Sequence, residues 1–250
     1  MHYTVQPGDT LGRIARKVGS TVDALRRANP AVRDTDRIVP NQRLVVPPPP
    51  GVLAFPGAAP NGVNPLPGPA AGAAPRDADA PLPILAWGAK VGEAFRRRVV
   101  EIAADLGCDP NHLMAAMAFE TGESFSPSVR NAAGSGATGL IQFMPSTATL
   151  LGTTTAALAR MTPERQLDYV AKYFLPYRGR LRTIEDVYMA ILWPAAIGKP
   201  SEHVLFKAPS KTYAQNKGLD KDRDGRVTKR EAAAAVSAKL AKGRRSGYLG

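Results

Sequence analysis

Glu120 is the side chain in this sequence best placed to give up a proton. On the segment opened by Asp109-Pro110, Leu113, Met117 and Glu120 fall at i, i+4 and i+7, so one apolar helical face ends in a carboxylate. A carboxylate in the last turn of a helix faces the negative end of the helix dipole, and Met117 and Phe119 beside it reduce its hydration. Both effects disfavour the charged form and raise the pKa, as a general acid working near neutral pH requires. Glu123 is also ionisable, but it lies beyond Gly122 and off that face, which makes it the weaker candidate. Two Gly-containing stretches follow, Thr121 to Pro127 and Gly136 to Pro145. Their glycines permit a tight chain path beside a bound molecule, and Gln142 offers both a donor and an acceptor for hydroxyl or acetamido groups.

A second constellation stands near the C-terminus. Asp220-Lys221-Asp222-Arg223-Asp224-Gly225-Arg226-Val227-Thr228-Lys229-Arg230-Glu231 fits the EF-hand loop, with acids at loop positions 1, 3, 5 and 12 and the sharp-turn glycine at 6. Asp220, Asp222, Asp224 and Glu231 can converge on Ca²⁺, with the Arg226 carbonyl and Thr228 or a water completing the shell. Lys211 to Leu219, which leads in, is a poor helix, so a lone structural brace is expected rather than a calcium switch.

The elements that position these groups fall into three stretches. In residues 1–48, Tyr3 and Val5 alternate with polar neighbours as a strand would, Pro7-Gly8-Asp9 is a turn, and Asp9 or Thr10 can cap a helix carrying Leu11, Ile14, Ala15 and Val18. Thr21 caps a second helix with Val22, Leu25 and Ala28 on one face, Asn29-Pro30 stops it, and Arg43 to Val46 is a closing strand: a β-α-α-β unit. Roughly half of the 23 prolines lie between Pro47 and Pro83. Residues 49–83, rich in Pro, Ala and Gly, bury too little apolar area to offset backbone ordering and are expected to act as an extended tether. Residues 84–250 read as mainly α-helical, with caps at Asp109-Pro110, Thr162-Pro163 and Thr183, and a last alanine-rich helix from Lys229 to Lys242.

Composition narrows the partners. The formal charge of +12 and a pI near 10.1 attract an anionic partner over about a Debye length, ~10 Å. Aromatics are only 6% of residues and Lys and Arg are scattered, which weighs against nucleic acid and leaves an anionic cell-wall or lipopolysaccharide surface, or a basic surface that serves solubility alone. No run approaches the ~20 apolar residues of a membrane span, and Met1-His2-Tyr3-Thr4 lacks the basic and apolar regions of a secretion signal. Cys108, the single cysteine, excludes an internal disulfide and reads as a small buried hydrophobe.

Two resemblances follow from these residues. Tyr3-Thr4-Val5-Gln6-Pro7-Gly8-Asp9-Thr10-Leu11, Ile14-Ala15, Leu25, Asn29-Pro30 and Gln42-Arg43-Leu44 resemble the LysM module. That implies a shallow groove for N-acetylglucosamine-containing glycan, formed by Gly8, Asp9, Thr10 and Leu11 with Asn29 and Pro30. Glu120-Thr121-Gly122, Phe125 and Pro127, then Gly136-Ala137-Thr138-Gly139-Leu140-Ile141-Gln142-Phe143-Met144-Pro145-Ser146-Thr147-Ala148, resemble the catalytic core of lytic transglycosylases of the soluble, goose-lysozyme-like group, phage and prophage members above all. That resemblance implies a lysozyme-like helical domain with Glu120 as catalytic acid, Ser124 or Phe125 supporting it, and Gly139, Leu140, Gln142 and Met144 lining a cleft. The family's Tyr-Asn pair would fall at Ile191 and Leu192; Tyr188, one turn earlier, is expected to offer its hydroxyl instead, and Trp193 a face for a sugar ring.

The implied chemistry is cleavage of the β-1,4 bond between N-acetylmuramic acid and N-acetylglucosamine, giving 1,6-anhydro ends. A muramidase normally needs two carboxylates, and the matched motif carries one; Glu185 or Asp186 are the alternatives for a second. The rival readings are muramidase hydrolysis at the same bond, a non-catalytic wall-binding protein and, more weakly, charge-driven nucleic-acid binding. The expected partners are peptidoglycan strands and the anionic envelope. A monomer is expected to act in the periplasm or wall after phage-type release, virion delivery or specialised secretion.

Overall fold

The computed structural model describes residues 2–6, 9–11, 14, 25, 28–29, 32, 38–39, 41–46, 81–132 and 134–250. The Pro/Ala/Gly tether, Gly8, Pro30, Ala15, Val18, Thr21 and Val22 lie outside them, except that the last three tether residues, 81–83, are included.

In the N-terminal unit β1 (His2–Thr4) pairs antiparallel with β2 (Arg43–Val45), Tyr3 opposite Leu44. Val5, Leu11, Ile14, Leu25, Val32, Leu44 and Val46 form its core. Leu11, Ile14, Leu25 and Ala28 are helical, as their spacing predicts. Asn29 ties the helical end to β2: its amide donates to the carbonyls of Leu25 at 2.8 Å and Val45 at 2.6 Å and accepts from Val45 N–H at 2.7 Å.

Residues 81–250 contain eight α-helices among the described residues. Helix α1 (Glu93–Leu106) ends on Gly107, whose φ of 69° supplies the left-handed cap. Asp109 caps α2 (Pro110–Glu120) by accepting from Asn111 N–H, with proline at the first turn. The single apolar face read for α2 becomes burial all round, because Leu113, Met114, Ala115, Ala116, Met117 and Ala118 are all buried. Short alanines let neighbouring helices close on every side of it. Next come α3 (Pro145–Leu150), α4 (Thr155–Leu158) and α5 (Pro163–Phe174), the last capped by Thr162. Thr183 caps α6 (Ile184–Leu192) by accepting from Asp186 N–H.

A two-stranded antiparallel sheet, β3 (Val204–Lys207) with β4 (Arg226–Thr228), adds to the helical expectation. It sets Phe206 opposite Val227, which is fully buried. Between the strands lies α7 (Lys211–Asn216), only six residues long with no buried residue, so the segment leading into the acidic loop is indeed a weak helix. The last helix, α8 (Lys229–Gly243), starts on a complete capping box, Thr228 with Glu231, and packs on α2 and α6.

Candidate functional site

Glu120 ends α2 with an edge open to solvent, while its carboxyl is largely desolvated. Burial raises its pKa to about 7. Among the described residues the carboxyl has neither a hydrogen-bond donor nor a cation, and no second carboxylate acts on it. Its charge reaches two phenols, Tyr173 of α5 and Tyr188 of α6, both held above the ordinary tyrosine range first by burial, then by Tyr177 and Glu120 for Tyr173 and by Glu120 for Tyr188. Phe119 meets Tyr188 edge-on at 5.4 Å, and Phe143 meets Tyr173 edge-on at 6.2 Å. Tyr173 donates its hydroxyl to the Ala190 carbonyl at 2.9 Å, which fixes α5 against α6 behind the acid.

Glu123, three residues away, has the opposite fate. It accepts from Lys242 at 2.7 and 2.8 Å and from Lys239, both of α8, and the bond from Lys239 leads in lowering its pKa. A carboxylate committed to two ammonium groups holds no proton to give near neutral pH. Its φ of 73° and the left-handed Gly122 and Phe125 fold the turn after α2 back on itself, and Glu123 N–H closes on the Ala118 carbonyl at 2.7 Å.

The other expected site residues separate into surface and support. Ser124 is exposed and donates to the Thr121 carbonyl at 2.8 Å, so it braces the turn. Phe125 is 3% exposed and stacks edge-on with Phe95. Leu140 is buried, Met144 stands 44% exposed at the start of α3, and Trp193 packs edge-on against Phe206. Gln142 donates to the carbonyls of Val129 and Gly139 at 3.2 and 3.1 Å and thereby holds the loop, leaving its amide oxygen as the group available to a ligand. The structure thus brings Tyr188 to Glu120 and makes Ser124, Phe125 and Leu140 part of the support behind the loop.

Gly139 joins this loop to a residue the sequence reading missed. Its φ is 86°, and a Cβ there would run into the Gln166 amide. Gln166 is fully buried: it accepts from Leu140 N–H at 2.6 Å and donates to the carbonyls of Leu158 at 2.9 Å and Pro127 at 3.1 Å. The signal was a polar residue on the buried face of α5, beside Leu167, Val170 and Phe174. Tyr173 was also missed; nothing in its spacing marks it as facing Glu120.

The carboxylates considered as second catalytic acids are engaged elsewhere. Asp186 is buried and accepts from Lys229 Nζ and Gly198 N–H, each at 2.7 Å; Glu185 accepts from Ser201 at 2.7 Å. Cys108, expected as a small buried hydrophobe, is half-buried instead, and burial pushes its thiol up to about 12.

In the acidic loop, carboxylate oxygens of Asp220, Asp222 and Asp224 lie within 4.8 Å of one another. Asp220 is 8% exposed, and its Oδ1 is buried without a hydrogen-bond partner, an arrangement that suits a cation. Glu231 stands apart from that trio, accepting from Thr228 and from Lys221 N–H.

In the N-terminal unit Asp9 accepts from the Tyr3 hydroxyl at 2.7 Å and from Gln6 N–H at 2.9 Å, and Leu11 is buried. Of the expected glycan contacts, Asp9, Thr10, Leu11 and Asn29 are described, while Gly8 and Pro30 lie outside the described residues. Leu11 and Asn29 serve the core and the strand there. The LysM domain family matches residues 3–47. The N-terminal unit is a LysM domain. LysM is a peptidoglycan-binding domain. No curated protein matches the chain as a relative. Among the described residues no helix is long and apolar enough to cross a membrane.

Proposed function

We propose that the helical domain is a lytic transglycosylase that cuts peptidoglycan between N-acetylmuramic acid and N-acetylglucosamine, delivered to its substrate by the LysM domain. The observation that carries this reading is the state of Glu120: a desolvated carboxyl with a pKa near 7 and, among the described residues, no cation and no second carboxylate acting on it. Such a group can donate a proton to the bridging oxygen near neutral pH. The departing bond leaves positive charge on the sugar, which the substrate's own 2-acetamido group stabilises. Glu120, now a carboxylate, removes the proton from the C6 hydroxyl, and that oxygen closes on C1 to give the 1,6-anhydro ring without water. Tyr173 and Tyr188 wall the acid and limit water beside it. A weakly binding LysM domain raises the effective substrate concentration for this site.

Calcium belongs to the proposal as a brace. Asp220, Asp222, Asp224 and the Arg226 carbonyl would hold it, with Glu231 as a further ligand once it turns from Thr228 and Lys221, and its charge would offset the carboxylates that converge ahead of α8.

Mass spectrometry of purified sacculi digested with the chain tests the reaction. Anhydro-muropeptides are the expected product. Reducing-end muropeptides alone would move the assignment to muramidase hydrolysis, and an undigested sacculus that still binds the chain would leave a wall-binding protein.

A further inference from the structure

The start of α6 opens into a cleft of about 510 Å³ that the reaction described above does not use. Arg180 and Arg182 line it from the turn before α6, and Lys199 from the stretch after it. All three are exposed, and none has an acidic partner among the described residues, whereas Arg97, Arg165 and Arg230 are ion-paired. Two exposed guanidinium groups and an ammonium left unpaired around one concavity repel one another unless an anion joins them.

The acids of the cleft refine what that anion can be. Asp186 is neutralised in the floor by Lys229, whose Nζ donates to it at 2.7 Å. Glu185 at the edge accepts from Ser201 through Oε2 at 2.7 Å, and its Oε1 has no hydrogen bond among the described residues. Gly179 and Gly198, with φ of 73° and 77°, have nothing within 4 Å of the position a Cβ would take, so the backbone is open on both sides. The N–H groups of Ile184 and Glu185 at the start of α6 have no acceptor among the described residues and add positive potential, that of Asp186 being taken by Thr183. A ligand bearing only negative charge, such as inorganic phosphate, is drawn by three cations but repelled by Glu185. A ligand carrying a carboxylate next to an N–H donor satisfies both.

We propose that this cleft binds the carboxylate end of a short peptide, with Arg180, Arg182 and Lys199 around the carboxylate and Glu185 accepting from the adjacent N–H or ammonium group. A guanidinium fork matches a carboxylate with two parallel bonds. The stem peptides of peptidoglycan have this chemistry, so the identity of the peptide rests on the proposed substrate, while binding itself needs no cleavage.

Titration calorimetry of the full chain carrying Glu120→Gln reads binding without turnover. The probe is D-alanyl-D-alanine, with its C-terminal amide and inorganic phosphate as controls. Saturable binding of the dipeptide is expected, weakened about tenfold or more in the amide and in Arg180→Gln or Arg182→Gln, each of which removes a charge-assisted contact. Glu185→Gln is expected to shift preference towards phosphate. Equal affinity for the amide, stronger binding of phosphate by the parent chain, unchanged affinity in both arginine variants, or no binding of the dipeptide would each overturn the proposal. The arginines are exposed, and an unchanged melting temperature in each variant shows that the fold is intact. A parent chain, with Glu120 intact, that binds the dipeptide but does not cleave sacculi would count against the transglycosylase reading alone.

Discussion

Asp186 and Glu120 are both withdrawn from water in the same helical core, and the fold treats them oppositely. Asp186 sits in the first turn of α6, where the helix dipole favours an anion, and it receives Lys229 from 43 residues away together with Gly198 N–H. Burial, the largest influence, pushes its pKa up, but the bonds from Lys229 and Gly198 outweigh it and the net shift is downward. Glu120 sits in the last turn of α2, where the dipole disfavours an anion, with no donor among the described residues, and burial takes it to about 7. Depth alone therefore does not set the charge of a carboxylate here; the supply of partners does. A chain that brings two lysines to Glu123 and one to Asp186 leaves Glu120 without one, and a group held in that state serves chemistry better than it serves stability.

The largest expected effect comes from abolishing the acid. Glu120→Gln should lower sacculus cleavage by about 10³-fold, within the range for loss of a general acid, while sedimentation with sacculi stays unchanged. Next comes the partner of Asp186. Lys229→Met strands a buried charge and should destabilise the domain by about 3 kcal/mol in urea unfolding, whereas adding Asp186→Leu to the same chain should restore most of that loss. Gly139→Ala should cost about 2 kcal/mol and lower activity as well, since the strain falls on the loop that Gln166 holds against the site. Calcium should have the smallest effect: a chelator is expected to lower the melting temperature by roughly 3 °C, reversed by adding Ca²⁺, and Asp220→Asn should abolish that response.

The two carboxylates also make opposite statements about pH and stability. Glu120 has a folded pKa above its ordinary 4.5, so its contribution is fully present below 4.5 and is lost as pH rises to about 7. Asp186 has a folded pKa below its ordinary 3.8, so its contribution is present above 3.8 and is lost as pH falls below it. Glu120→Gln should therefore melt higher than the parent chain at pH 8, with the gap closing towards pH 4.5.

What the sequence disclosed follows from which interactions are local. Helix starts were legible because a cap is a contact over two or three residues: Asp109 to Asn111, Thr162 to Arg165 and Thr183 to Asp186 all stand as read. The raised pKa of Glu120 was also legible, from apolar neighbours on its own helix. Lys239 and Lys242 on Glu123, Lys229 on Asp186 and Gln166 on the 127–140 loop were not, since each joins segments at least 26 residues apart and no local pattern encodes them. Phe125 and Leu140 illustrate the same limit: a motif marks them as near the site, and only packing shows that they lie behind it. The β3–β4 pair escaped because β4 lies inside the acidic loop pattern, where Val227 reads as a loop residue until Phe206 is set opposite it.

The pH dependence of sacculus cleavage by the parent chain, measured against Glu120→Gln, tests the central claim most directly. Activity should hold on the acid side and fall about tenfold per pH unit above about 7, as Glu120 loses the proton it must give, with the variant near baseline throughout. A rate that stays level from pH 5 to pH 9, or cleavage that survives in Glu120→Gln, would contradict it.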